Sequence, residues 1–282
     1  MAEPGGLRVA HLTRDEFAAA LARGRWLLLP FGAIEQHGPH LPLATDLIEA
    51  EHVCAAVAAR VGGLCAPGLP YGVCRTMRRF PGTISLSPGT FQALVREVVA
   101  EYVRHGARKL ALYSGHAEPA QLEALREAVL PLVDADPGLV VLVVGPYAFL
   151  DPIRREAGLE GRDGHAASIE TSMMLAIAED AVRPDRIPNV PDRPRISRFR
   201  VLTHPEAEFP TGVRGEDQIG RAASLAPRRY RKRPLIGLIP VRLKVGRPPL
   251  QVGDLRSNRI PGASSGAVAA LTAATPDHQP RD

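Results

Sequence analysis

Short apolar segments alternate with helix-like segments up to about residue 180, and this alternation constrains the fold more than any other feature. Segment 139–144 (LVVLVV) is apolar at every position, so both of its faces need cover. Strands of this kind belong to parallel sheets that have helices on each side. The chain is therefore predicted to adopt an α/β fold, a three-layer α/β/α domain with a mainly parallel sheet.

The individual elements follow from local signals. The predicted strands are short apolar runs at 26–30, 64–67, 109–114 and 139–144. The predicted helices lie at 13–23, 46–61, 87–106, 118–133 and within 165–180. Thr13 and Glu16 form a capping box, in which each side chain satisfies a backbone donor of the other residue. Ser87 followed by Pro88 is a second typical helix start.

The charge is distributed unevenly along the chain. The formal net charge is +5, but residues 226–282 hold 11 basic and 3 acidic residues, which leaves residues 1–225 mildly acidic. Residues 226–282 also lack a sustained helical or alternating period. We therefore predict a domain over 1–225 and an irregular, basic, Pro/Arg-rich tail over 226–282. Nucleic-acid binding by this tail is not expected, because no aromatic residues alternate with the arginines to stack on bases.

Membrane and secreted classes are not expected. No stretch approaches the roughly 18–20 apolar residues that cross a bilayer. Residues 1–10 lack the basic start and apolar run of a secretory signal. The three cysteines, Cys54, Cys65 and Cys74, form no CxxC pair and leave one unpaired in any disulfide scheme. These features predict a protein of the reducing cytoplasm.

Two pairs of metal-ligand residues follow predicted strands. Glu35 and His37 lie two positions apart after the first strand, and His116 and Glu118 repeat this spacing after the third. Alternate residues of an extended segment point to the same side, and neighbouring parallel strands end at one crevice. Asp46 begins the next helix. Mixed imidazole and carboxylate ligands suit zinc or manganese, and five of them fit two ions that share a carboxylate. The alternative is that each Glu-x-His pair is merely capped or solvated.

These motifs resemble those of the creatininase family of metal-dependent amidohydrolases. The resemblance runs from about residue 27 to 178. It rests on the segments 35–40 (EQHGPH), 45–46 (TD), 80–83 (FPGT), 115–118 (GHAE) and 165–175 (HAASIETSMML). It implies two divalent ions per chain, a small-molecule amide substrate and a homo-oligomer, a hexamer of the creatininase type.

The resemblance also implies a division of the ligands between the two ions. Glu35 and His116 would hold one ion, His37 and Glu118 the other, and Asp46 would bridge both. The GHAE segment is similar to the creatinine-hydrolysing branch, whereas many relatives have GHGGN.

Two further residues gain roles from the resemblance. His165 would be the acid that protonates the leaving nitrogen, and Glu118 could relay a proton from the attacking water. For Glu170 two readings stay open: support of a metal ligand, or a favourable negative charge at a helix N-terminus.

The residues expected around the substrate differ from those of the creatinine-hydrolysing branch, whose members resemble one another in having tryptophans there. This chain has a single tryptophan, Trp26, before the first strand. The expected substrate-binding residues are Arg162, Asp163 and Tyr147. An arginine in this place favours an amide that bears an acidic group. The alternative is that Arg162 is a solvated surface residue of an arginine-rich chain. Cys74 has no base near it in the sequence and is not expected to be a nucleophile.

The predicted function is hydrolysis of a cyclic or non-peptide amide, creatinine-like, by a metal-bound hydroxide. Two alternatives are kept. One is cleavage of a peptide or formamide by a member of the same family. The other is a non-catalytic paralogue that acts as a binding subunit, against which the complete ligand set argues, because unused buried polar groups are costly.

Overall fold

The structure is a computed structural model that describes residues 6–146, 155, 163–188 and 211–213. Tyr147, Arg162 and the tail 226–282 lie outside the described residues. Five strands form one sheet in the order β1-β3-β2-β4-β5, and every neighbouring pair is parallel. The strands are β1 (Leu7–Arg8), β2 (Leu27–Phe31), β3 (Leu64–Cys65), β4 (Lys109–Ser114) and β5 (Val140–Val144). The predicted parallel sheet is confirmed.

Five α-helices accompany the sheet within the described ranges. They are α1 (Arg14–Ala22), α2 (Thr45–Val61), α3 (Pro88–Arg104), α4 (Pro119–Ala135) and α5 (Ser168–Ile177). The capping box of Thr13 and Glu16 is present at the start of α1. At the start of α3 the hydroxyl of Ser87 accepts a hydrogen bond from the amide of Thr90 at 3.1 Å. Both predicted helix starts are confirmed. Each cap satisfies backbone amides that have no partner within the first turn of the helix.

Helices cover both faces of the sheet, which gives the three predicted layers. Leu27, Leu29 and Phe31 of β2 pack on the side of α1, α3 and α4. Leu28, from the opposite face of the same strand, packs with Cys54 of α2. Burial on both faces explains why β2 is apolar throughout. Helix α5 packs in turn against α2.

One strand differs from the sequence prediction. Strand β1 was not predicted; its two residues pair with β3, and neither is fully buried. Helix α5 lies within the predicted range 165–180 and begins at Ser168, after a turn in which Ala166 has a φ of 54°. That turn keeps His165 out of the helix. Among the described residues, no helix is both long and apolar enough to span a bilayer.

Candidate metal centre

The candidate site lies where β2 and β4 end side by side. Phe31 is paired with Ser114, and the amide of Gly115 donates to the carbonyl of Phe31 at 2.9 Å. Glu35 and His37 follow β2, and His116 follows β4, so the chain brings them to one crevice as the spacing predicted. All three side chains are buried. The carboxyl ends of parallel strands are the usual place for ligands in such a sheet.

Glycines at both strand ends let the first turn of α2 approach the sheet. A Cβ on Gly32 would lie 2.4 Å from Cα of Leu47, and one on Gly115 would lie 2.1 Å from the carbonyl oxygen of Asp46. Any larger residue would push α2 away. The close packing inserts the Asp46 carboxylate between the two strand ends, where it is buried.

Three histidines of the site are oriented in the same way. In each imidazole one ring nitrogen donates its hydrogen to a backbone carbonyl, which directs the other nitrogen into the crevice. The pairs are His37 Nδ1 to Glu35 O (3.0 Å), His116 Nε2 to Val73 O (3.1 Å) and His165 Nε2 to Gln36 O (2.7 Å). Such an outer hydrogen bond is what holds metal-ligating histidines in the correct tautomer.

The two oxygens of Asp46 face two different histidines. Oδ1 lies 3.2 Å from Nε2 of His37, and Oδ2 lies 2.9 Å from Nδ1 of His116. Glu35 Oε2 lies 3.2 Å from the same nitrogen of His116. A carboxylate with one oxygen on each side is the arrangement needed to bridge two ions.

Several nitrogen and oxygen atoms that line the crevice lack hydrogen bonds within the described part of the chain and could instead bind cations. Glu35 Oε2, His37 Nε2 and Asp46 Oδ2 are buried, and none makes a hydrogen bond to another described residue. Leaving buried polar atoms unpaired is costly, and binding of a metal ion would satisfy all three.

The electrostatics of the crevice lead to the same conclusion. Burial would lower the pKa of His37, but the carboxylates of Asp46 and Glu170 overcome this and raise it to about 10. Burial raises the pKa of Glu35 to about 7. Without cations, His37 carries a second proton and the carboxyl of Glu35 is partly neutral at neutral pH. Two divalent ions would replace these protons and leave neutral imidazoles and ionised carboxylates, the ligand forms.

Glu170 lies closer to the histidines than the sequence suggested. Its Oε2 is 3.8 Å from Nε2 of His37, and His37, Asp46 and Glu170 offer ligand atoms within 4.8 Å of one another. Burial raises the pKa of Glu170 to about 7. It also accepts a hydrogen bond from the amide of Ala166, in the turn before α5. The carboxylate therefore serves the helix start and faces the candidate metal centre.

Glu118 occupies a different position from the other carboxylates. Its Oε2 accepts a hydrogen bond from the hydroxyl of Thr76 at 3.0 Å. Its charge contributes to raising the pKa of Glu35, so it stands near that residue. Glu118 is half-buried, at the residue that precedes α4. Its role as a metal ligand remains a prediction.

His165 lies beside both His37 and Glu35. Its ring centre is 4.4 Å from that of His37, and its Nδ1 lies 3.8 Å from Oε2 of Glu35. Burial, assisted by the positive charge of His37, lowers the pKa of His165 to about 3. At neutral pH His165 is therefore a neutral imidazole, with its proton on Nε2 and a lone pair on Nδ1.

Of the three expected substrate-binding residues, Asp163 is the one that lies within the described part of the chain. Its Oδ1 accepts a hydrogen bond from the amide of Ile169 at 3.1 Å, so this oxygen stabilises the first turn of α5. Its contact with substrate remains a prediction.

No base lies near Cys74 in the sequence, but the fold brings the imidazole of His116 close to it. The Cys74 thiol is fully buried and lies with His116 and Glu35 in a group whose ligand atoms are within 4.8 Å of one another. Residue 74 is far from both in the sequence, and no spacing pattern joins them. The GHAE and EQH motifs could not have revealed this contact, because it depends on how the loop after β3 folds back over the strand ends.

Comparison with known proteins identifies sequence relatives. A sequence model of the family Creatininase, described as creatinine amidohydrolase, matches residues 10–224. The creatinine amidohydrolase of Pseudomonas putida is 36% identical over 217 residues, 72% of this chain and 78% of that protein. A mycofactocin precursor peptide peptidase of Mycobacterium ulcerans is 35% identical over 175 residues, 57% of this chain and 62% of that protein.

Comparison with solved structures identifies creatininases as well. The structure named Creatininase Mn has a TM-score of 0.68 and 29% identity, and the match covers 81% of this chain and 99% of that one. A mutant creatininase named as a Zn-Zn type has a TM-score of 0.67 and 30% identity over the same shares. The three-layer α/β/α fold predicted from the apolar pattern is thus confirmed by solved structures as well as by the strand order.

Proposed function

The chain belongs to the creatininase family, as its motifs predicted, and we propose that it is a two-metal hydrolase of a cyclic or non-peptide amide. The observation that carries this proposal is the convergence of Asp46 with two histidines, one on each carboxylate oxygen. The orphaned buried atoms around it support the same conclusion. A scaffold or binding subunit would have no use for them.

The chain's own residues suggest two ligand sets. Glu35 and His116 would hold one ion, His37 the other, and Asp46 both. Glu170 would be the second ligand of the ion that His37 holds. The resemblance of the motifs implies Glu118 for that role. The relatives named with Mn and with Zn-Zn support these two elements as the metals. Two such ions would polarise the amide carbonyl and provide the nucleophilic oxygen at neutral pH.

Glu118 and His165 would move the protons. Glu118 is half-buried and hydrogen-bonded by Thr76, so its carboxylate is held in place to accept a proton from the attacking water. His165 keeps one proton on Nε2, which it donates to the carbonyl of Gln36. Its Nδ1 lone pair faces the crevice and would take up a proton and pass it to the departing nitrogen.

The substrate is proposed to be a small amide of the creatinine type. The Pseudomonas putida relative, a creatinine amidohydrolase, supports this choice over most of its length. The second candidate is a peptide amide, which the mycofactocin precursor peptide peptidase supports over a shorter match. Preference for an acidic substrate depends on Arg162, which lies outside the described residues.

We further propose a cytoplasmic homo-oligomer, a hexamer by family resemblance. Cys54, Cys65 and Cys74 are all free thiols, which agrees with a reducing compartment. Static light scattering of the full chain would measure the number of subunits. A monomer at micromolar concentration would contradict the oligomer.

Metal content tests the proposed centre. Wild-type protein should bind about two equivalents of zinc or manganese per chain. Asp46→Asn should lose both, since this carboxylate would hold both ions, whereas His116→Ala should lose mainly one. Asp134→Asn, an exposed carboxylate on α4, is the matched control and should keep both. Metal retained at two equivalents in Asp46→Asn would refute the binuclear centre.

Hydrolysis of a substrate panel tests the activity. Metal-loaded protein should open creatinine or another cyclic amide faster than it cleaves a peptide amide, and Glu118→Gln should remove most of this activity while keeping the fold. If peptide amides are cleaved and cyclic amides are not, the second candidate is correct. A metal-loaded wild type that is inert towards the whole panel would favour the binding subunit.

A further inference from the structure

The loop residue Cys74 places a sulfur atom beside one half of the metal centre. Its side chain is fully buried, and its sulfur, a nitrogen of His116 and an oxygen of Glu35 lie within 4.8 Å of one another. Glu35 Oε2 is buried and makes no hydrogen bond to another described residue. A buried carboxylate oxygen without such a hydrogen bond, an oriented imidazole and a thiol within this distance are three typical zinc donors.

The backbone around Cys74 is held rigidly in this position. The amide of Cys74 donates to the hydroxyl of Ser85 at 2.9 Å, and the amide of Val73 donates to Gln121 at 2.8 Å. The carbonyl of Val73 accepts the hydrogen bond that orients His116. One dipeptide therefore both aims the imidazole and supplies the sulfur next to it, an arrangement that a thiol buried only for packing would not need.

The other two cysteines provide an internal comparison. Cys54 and Cys65 are buried among apolar side chains between α2 and the sheet, including Leu28 and Ala58. They behave as small apolar residues, the common role of a buried free cysteine. Cys74 alone among the three belongs to a group of metal-ligand atoms in the described part of the chain.

We propose that Cys74 is a further ligand of the ion held by Glu35 and His116, bound as the thiolate after its proton passes to solvent. This inference rests on the proposed metal centre and deepens it. One position then has sulfur, nitrogen and oxygen donors, whereas the position of His37 and Glu170 has only nitrogen and oxygen. Thiolate ligands select zinc over manganese, so the first position prefers zinc and the second accepts either metal.

Cobalt(II) substitution of the metal-free full-length protein tests this assignment. Cobalt-loaded wild type should show the near-ultraviolet charge-transfer absorption of a thiolate bound to cobalt, and Cys74→Ser should lack it. Cys54→Ser and Cys65→Ser are the matched controls and should keep it. In chelator competition, Cys74→Ser should weaken the tighter zinc site by at least about 10–100-fold, the range found even for loss of a supporting contact, and change manganese binding much less.

The outcomes separate this inference from the proposed function. If wild type binds no cobalt or zinc, the metal centre itself is refuted. If it binds about two ions without a thiolate band, or if Cys74→Ser has the wild-type spectrum, the centre stands and the cysteine ligand is refuted. X-ray absorption of the zinc-loaded wild type needs no variant, so it decides even if Cys74→Ser does not fold. It should show a sulfur atom at about 2.3 Å from zinc, and only lighter scatterers would overturn the proposal.

Discussion

Glu49 is a buried carboxyl group of α2 that contacts Tyr113 of β4, near the candidate metal centre. Only 3% of it is exposed, and the hydroxyl of Tyr113 donates to its Oε1 at 3.0 Å. Burial, with the nearby charges of Glu170 and Asp46, raises the pKa of Glu49 well above its ordinary value. The folded, metal-free protein therefore keeps a proton there that the unfolded chain releases.

This proton predicts a specific pH dependence. The group's contribution to stability is fully present below its unfolded pKa of about 4.5 and is lost as the pH rises towards the higher folded value. Glu49→Gln keeps an acceptor for Tyr113 and removes the titration. In urea unfolding of the metal-free protein between pH 5 and 8, the variant's stability should fall less steeply than wild type, by up to about 1.4 kcal/mol per pH unit. Equal slopes would show that the Glu49 carboxyl is not protonated in the fold.

At the residue scale, sequence reasoning was strongest where ligands lie close together in the chain. Glu35 with His37, and His116 after β4, were found because a two-residue spacing at a strand end has a direct geometric meaning. Glu170 and Cys74 come from a helix start and a loop. Their positions depend on how these elements fold back over the sheet, and no local pattern encodes that.

At the element scale, the docking of α2 decides whether the Asp46 carboxylate lies between the two strand ends. Gly115 has no room for a side chain, because a Cβ there would meet the backbone of Asp46. The contact is with backbone, so it can be relieved only by moving the helix.

Gly115→Ala should therefore displace the first turn of α2. We expect a loss of about 1–3 kcal/mol in the free energy of unfolding and at least about tenfold weaker zinc binding. Gly89→Ala is the matched control: Gly89 is exposed in the first turn of α3 with open space around it. It should leave zinc affinity unchanged and add about 0.5–1 kcal/mol of stability. Urea unfolding and chelator competition measure both quantities, and wild-type zinc affinity in Gly115→Ala would refute this account of the helix position.

The elements themselves were largely predictable. Segment 109–114 was predicted as a strand with the bounds that β4 has, because apolar runs bounded by turns leave few alternatives. Strand β1 was missed because two residues carry no periodicity, and it exists only through its pairing with β3. Helix α5 lies within its predicted range, and its exact start after Ala166 could not be predicted, because that residue has a left-handed conformation that alanine rarely adopts.

At the scale of the whole molecule, a late segment returns to the site. The carbonyl of Gly212 accepts a hydrogen bond from Gln36 at 2.8 Å, and Val213 is 1% exposed, packed with Leu41 and Met174. Gln36 in turn carries the carbonyl that holds His165. Residues 211–213 therefore belong to the domain, whereas composition places 226–282 outside it.

Two truncations separate these parts. A chain of residues 1–225 should keep the melting temperature and zinc affinity of the full chain. A chain of residues 1–210 should lose about 2–3 kcal/mol, from the buried valine and the hydrogen bond of Gln36, and should bind zinc more weakly. Thermal melts followed by circular dichroism, with zinc titrations, measure both. A melting temperature that falls equally in the two chains would show that 226–282 is part of the folded unit.

The parallel strand order also bears on when the metal centre can form during synthesis. Gln36 meets His165 across 129 positions and Gly212 across 176. A contact between such distant residues forms slowly, because the chain loses the entropy of closing a long loop before the contact stabilises it. A chain emerging from the ribosome carries the pair Glu35–His37 early, but its partners are added much later. Until those partners are added, Glu35 and His37 lack the distant residues with which they would complete the proposed site.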